Sequence, residues 1–168
     1  MIRAFGGKTP KIAQTAFISE VAYVVGDVKI GEHSSVWPGA VIRGDYATVT
    51  IGSYVHLEDS CVVHCGTDLI MGNYIIVGHG AVVHCARIGD NVLVGSNTTL
   101  LDGARIGDGC IIGAGSLVTP DTIIPPRSFV VGSPAAVRGQ VTNEQIRAFR
   151  ADVEGYWATA RRYKEEGM

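Results

Sequence analysis

Three of the chain's five histidines, His64, His79 and His84, lie close together in sequence. Imidazole is a common ligand for zinc, and three such ligands with an open fourth position make a catalytic site. Neutral histidines leave zinc its double positive charge, which lowers the pKa of a bound water to about 7. Acids and a base stand nearby. Arg43 and Asp45 belong to the segment Val41-Ile42-Arg43-Gly44-Asp45, and Glu58 and Asp59 lead into His64. Carboxylates can orient such a water, and an arginine can hold an anion or pair across an interface. A lone histidine is more simply a corner or interface residue, so the case for a metal rests on how the three are placed together.

Their placement follows from a repeat. Ile12, Ile18, Val24, Ile30, Val36 and Ile42 open successive six-residue units. An insertion, residues 43–50, interrupts them, and Ile51, Leu57 and Val63 resume the period. After a short loop around residues 68–70 come Met71, Val77 and Val83. One five-residue step then leads to Ile88, Val94, Leu100, Ile106, Ile112, Val118, Ile124 and Val130. The next position is often glycine, as at Gly31, Gly52, Gly72, Gly78 and Gly89. An aliphatic side chain pointing inward and a small residue at the corner describe one side of a triangular coil. Coils stack at the strand spacing of about 4.8 Å. The expected fold is all-β, a parallel β-helix of hexapeptide repeats over residues 1–140, with residues 141–168 forming a helix packed on it.

The register locates the histidines. His64 and His84 are each second in their units and lie one coil apart, allowing for the two extra residues of the short loop. They should stack on one face, close enough to share a metal. His79 is third in the Val77 unit, one face earlier, and should point around the corner from them. Three ligands on one ion then require a second copy of the chain. A three-sided prism packs naturally about a threefold axis, so a homotrimer with His64 and His84 from one subunit and His79 from the next is expected.

The remaining residues bound the possibilities. With 14 basic and 16 acidic residues, the chain gives no reason to expect nucleic acid or an anionic membrane as partner. No apolar run approaches the roughly 20 residues of a membrane helix, and Met1–Pro10 lacks a secretory apolar segment, so a cytoplasmic location is expected. Cys61, Cys65, Cys85 and Cys110 form no CxxC pair and read as reduced core thiols. Strand alternation should send Cys65 and Cys85 to the side opposite the imidazoles. From Thr142, a capping box with Gln145 opens a helix whose stripe is Ile146, Phe149, Val153, Trp157 and Ala160. Tyr156 on this helix is a secondary candidate for the site.

Three segments carry a family resemblance: Val41-Ile42-Arg43-Gly44-Asp45, the run Glu58-Asp59-Ser60-Cys61-Val62-Val63-His64, and Gly78-His79-Gly80-Ala81-Val82-Val83-His84. With them the chain resembles the gamma-class carbonic anhydrases and their bacterial hexapeptide-repeat relatives. The resemblance implies a left-handed β-helix and a homotrimer with an interfacial metal: zinc, or iron or cobalt. It implies His64 and His84 as ligands from one chain and His79 as the ligand from its neighbour. Arg43, Asp45 and Asp59 match positions with interface and catalytic roles, and the implied reaction is reversible hydration of carbon dioxide to bicarbonate. Two positions depart: the family often has asparagine and glutamine where this chain has His56 and Glu58. An ionised Glu58 can only accept a hydrogen bond, and its charge raises the pKa of a nearby water. The segment Cys65–Ile70 is also nearly without the acids of the family's proton-shuttle loop. Metal binding with weak hydratase turnover is therefore expected. Two other functions stay open: a hexapeptide-repeat acyltransferase or hydrolase of CoA thioesters, and a non-catalytic trimeric metal-binding module.

Overall fold

The computed structural model describes residues 1–168. Every aliphatic residue that opens a six-residue unit from Val24 to Val130 is buried. A second inward position, two residues earlier, completes the core with Ala22, Val28, Val55, Cys61, Leu69 and Ile75 among others. Two inward side chains per unit fill the triangular section, and the unit is too short to bend into anything but a corner.

The result is a parallel β-solenoid with three faces. One carries Phe17–Ile18, Ser35–Val36, Val55–Leu57, Ile75–Val77, Val92–Val94 and Ile111–Ile112, paired in parallel. The second pairs Val41, Val62, Val82 and Thr99 in one column. The third pairs Val49–Ile51, Leu69–Met71, Arg87–Ile88 and Arg105–Ile106. Val41–Ile51 is a single long strand through the insertion, so it belongs to both the second and the third face. Ser128–Gly132 ends the stack, and Ala135–Gln140 folds back on it as its antiparallel partner.

Corner glycines answer to the coil above more than to the turn itself. A Cβ on Gly52 would overlap the carbonyl of Gly72, and one on Gly72 would meet Gly89 and Asp90. Hydrogen-bonded stacking brings these corners closer than any side chain allows.

The helix Asn143–Glu165 starts at the Thr142 cap. The Gln145 amide donates to Thr142 Oγ1 at 3.2 Å, and the Thr142 amide donates to Gln145 Oε1 at 2.8 Å. The helix runs back along the first face. Phe149 and Val153 pack with Ile76, and further on Ala160 packs with Phe17 and Trp37. Ile146 and Trp157 of the expected stripe are half-buried. It is the structure's one helix, and no helix here is long and apolar enough to cross a membrane.

His56 fastens this helix. It is fully buried, with Nδ1 2.7 Å from Ser35 Oγ and Nε2 3.0 Å from the Val153 carbonyl oxygen. A neutral ring with its proton on Nε2 satisfies both contacts, donating to Val153 and accepting from Ser35. Burial drives its pKa down from 6.5 to about 4, against the opposing pull of the Val153 carbonyl. The folded pKa lies below the unfolded one, so the unfolded chain binds the extra proton first. Stability is complete above pH 6.5 and falls as pH drops toward about 4. The full loss is about 3 kcal/mol at 1.36 kcal/mol per unit. Urea melts of wild type and His56→Gln across this pH range should diverge, the variant losing less stability in acid. Parallel losses would show that His56 does not carry the acid sensitivity.

Candidate metal centre

One corner of the prism stacks Arg43, His64 and His84 on successive coils. Arg43 pairs in register with His64, and Val62 and Val63 pair with Val82 and Val83 just before His84. The two imidazole rings stand 5.2 Å apart, centroid to centroid, tilted by 50°. Asp45 braces His64 from the insertion. Its Oδ2 accepts from Arg43 Nε at 3.1 Å, and its Oδ1 lies 3.1 Å from His64 Nε2. Arg43 Nη2 reaches the same ring nitrogen at 3.5 Å. Partial burial works to raise the Asp45 carboxyl, but its own backbone N–H, Arg43 and His64 together hold it below its ordinary value. Tyr46, otherwise exposed, sets its ring edge-on to His64 at 5.7 Å.

His79 occupies the neighbouring corner, between Ile75–Val77 and Val82–Val83. A whole face of the solenoid separates it from His84, so the chain does not bring all three histidines together. The His79 ring is held by carboxylates on both nitrogens: Glu58 Oε2 lies 3.1 Å from Nε2, and Asp59 Oδ2 3.1 Å from Nδ1. A neutral imidazole has a single N–H. A neutral ring can therefore donate to only one of the two carboxylates.

Glu58 is buried, and its Oε1 has no hydrogen-bond partner. It lines a groove of about 890 Å³ between this corner and the helix, with Trp37, Asp59, His79, Asp152 and Tyr156. No lysine or arginine lines the groove. His56 stacks on Tyr156 at 5.6 Å. Burial, then the adjacent Glu58 carboxylate, pushes the Tyr156 phenol up to about 12. The residues fit a divalent metal. Two in-register imidazoles offer borderline-soft nitrogen donors, a carboxylate oxygen lies 3.1 Å from one nitrogen of each, and a buried carboxylate oxygen stands unpaired near the third ring.

Comparison with known proteins gives these residues a context. A family model for bacterial transferase hexapeptides, six repeats, matches residues 9–44 and 85–120. The chain is 51% identical over 147 residues to a Methanocaldococcus jannaschii protein named "Probable carbonic anhydrase", covering 86% of this chain and 92% of that one. It is 40% identical over 166 residues to the carbonic anhydrase of Geobacillus kaustophilus, covering 98% of this chain and 91% of that one. Gamma carbonic anhydrase 1, mitochondrial, of Arabidopsis thaliana is 34% identical over 167 residues, covering 95% of this chain and 61% of that one. The chain belongs to the gamma carbonic anhydrase-like family. The crystal structure of a hexapeptide transferase family protein from Anaplasma phagocytophilum matches it with a TM-score of 0.92 at 34% identity, over 96% of this chain and 97% of that one.

As a member of that family, the chain adds polar contacts that the motifs alone do not disclose. His84 Nδ1 lies 3.1 Å from Asp102 Oδ1. The five-residue step shortens this coil, pairing Val83 with Leu100, so Leu101 stacks on His84 and Asp102 reaches the ring from one position beyond. All four cysteines are free and buried, as core thiols should be, but Cys65 is not turned wholly away from the imidazoles. The strand ends at His64, so alternation no longer fixes the direction of the next side chain, and Cys65 Sγ comes within 4.8 Å of a His84 ring nitrogen.

Replacing Glu58 by glutamine removes a negative charge beside Tyr156. The Tyr156 pKa should then fall from about 12, as read by NMR of isotope-labelled tyrosine. An unchanged value would show that burial alone sets it.

Proposed function

We propose that the chain assembles as a homotrimer and catalyses the reversible hydration of carbon dioxide to bicarbonate. The metal, zinc here, with iron and cobalt as the other ions the donors suit, is held by His64 and His84 of one subunit and a neighbour's His79. The observation that carries this reading is the stacked pair His64 and His84 on one corner, with His79 alone on the next. Such a set is complete only between two chains. When bound, the metal supplies the Lewis acidity that makes water acidic near neutral pH.

The chain's own residues do the rest. Asp45 and Asp102 orient His64 and His84 through a ring nitrogen each. Arg43, held by Asp45, presents a guanidinium to the bicarbonate anion. The unpaired Glu58 Oε1 accepts a hydrogen bond from water and turns its lone pair toward the carbon. The proton leaves through Asp59, which is half-exposed beside His79. The route is poorly supplied with further acids, because Cys65–Ile70 offers only Asp68. Turnover should be slow for this reason. The absence of lysine or arginine along the groove counts against recognition of CoA phosphates there. We place the protein in the cytoplasm, where four free thiols stay reduced.

Metal content, light scattering and stopped-flow hydration on wild type and His79→Ala test this together. The expected result is one metal per chain and a trimer in the wild type. The variant should lose both metal and hydration by tenfold or more. Metal without hydration would move the function to thioester hydrolysis or to a non-catalytic module, and no metal in either protein would end the metalloenzyme reading. A second expectation concerns charge. Glu58→Gln should shift the rate profile toward lower pH, since a carboxylate near the water disfavours hydroxide. A shift toward higher pH would contradict the role given to Glu58.

A further inference from the structure

Cys65 has no task in this reaction, yet it converges on His84 together with Asp102. Cys65, His84 and Asp102 each offer a donor atom, and the three atoms lie within 4.8 Å of one another. They come from three successive coils: Cys65 follows His64, His84 stands one coil on, and Asp102 one coil beyond that. The stack thus builds a donor set from segments distant in sequence, as it does for the imidazole pair.

The chemistry of the set is specific. A thiolate, an imidazole and a carboxylate suit zinc, cobalt or cadmium, and suit magnesium or calcium poorly. Zinc lies about 2.3 Å from sulfur and about 2.0–2.1 Å from nitrogen or oxygen, so its donors stand roughly 3.3–3.7 Å apart. His84 Nδ1 and Asp102 Oδ1 are already 3.1 Å apart, and the Cys65 sulfur, within 4.8 Å of the other two donor atoms, has to move toward them. Cys65 has no strong competing partner, its contact to Thr67 Oγ1 being 3.6 Å. Although Cys65 is buried, Asp102 is 68% exposed and His84 28% exposed, so the set opens to solvent on the carboxylate side. Cys61 and Cys85 offer no such setting. Burial pushes both thiols up to about 12, and neither has a ring nitrogen and a carboxylate beside it.

We propose that Cys65, His84 and Asp102 form a second metal site, contained within one chain, for a thiophilic divalent ion. Binding replaces the Cys65 S–H bond by a sulfur–metal bond and releases that proton to solvent. The site stands without the interfacial reading. If that reading also holds, His84 is shared, and the two sites compete for it.

Cobalt(II) distinguishes the sites, because thiolate coordination adds an intense near-ultraviolet charge-transfer band that nitrogen and oxygen ligands do not. Metal-free full-length protein is titrated with cobalt(II) as wild type, His79→Ala, Cys65→Ala and Asp102→Asn, with circular dichroism reporting the fold. The band should appear in wild type and persist in His79→Ala. It should be absent from Cys65→Ala, and Asp102→Asn should weaken cobalt binding through it by tenfold or more. Cobalt bound without the band overturns this site and leaves the three-histidine reading standing. A band retained in Cys65→Ala also overturns it. Should Cys65→Ala fail to fold, Asp102→Asn decides, since its substitution is at the surface. An undiminished band and affinity there would reject the site.

Discussion

The hydrogen-bonded stacking of one coil on the next governs the rest of the molecule. Each six-residue unit is too short to have a core of its own, and becomes stable only when its N–H and C=O groups meet those of the coils above and below. That pairing fixes the vertical distance between equivalent positions at the strand spacing. Residues a full coil apart in sequence are thereby forced into contact. Arg43 on His64 and His64 on His84 are both products of this one constraint, and Asp102 reaches His84 from one position past the stacked Leu101. So is the intolerance of side chains at corners such as Gly52, where the next coil's carbonyl fills the space.

The same constraint explains why the histidines fall into two groups. Side chains leave the prism along its corners, and two corners of one face cannot converge within a chain. The single chain meets this by giving each ring a local carboxylate: Asp45 for His64, Asp102 for His84, and both Glu58 and Asp59 for His79. These pairs hold the rings in position within the single chain. The helix adds the fourth wall of the groove beside His79, and buried His56 ties that wall to the first face. The departures at His56 and Glu58 are coupled through Tyr156, which stacks on one and lies against the other.

The repeat made most of this legible from residue types alone. The aliphatic spacing placed the inward column from Val24 to Val130, and the Thr142–Gln145 pair marked where the helix starts. The relation of His64 to His84 followed from counting a coil plus a loop. What sequence could not supply were features set where the regular pattern stops. Cys65 lies just past a strand end, where alternation no longer rules, and its sulfur approaches His84. Tyr46 sits in the insertion, whose path no period describes, and turns its ring to His64. The coil count aligns Leu101, not Asp102, with His84, so the repeat gave no signal for Asp102. The double carboxylate grip on His79 depends on side-chain directions at two corners, which spacing does not encode.

The antiparallel return of Ala135–Gln140 along Ser128–Gly132 has a consequence for solubility. A parallel solenoid ends in an unpaired strand edge on every face, and such an edge is a template on which another copy can continue the sheet. Because the last strand of the helix-covered face meets a strand running the wrong way, the parallel ladder there cannot be extended by a further coil. Reversal of direction, rather than charge or proline, is the device that ends growth on that face. The hairpin thus closes the parallel ladder of that face with a strand of opposite direction.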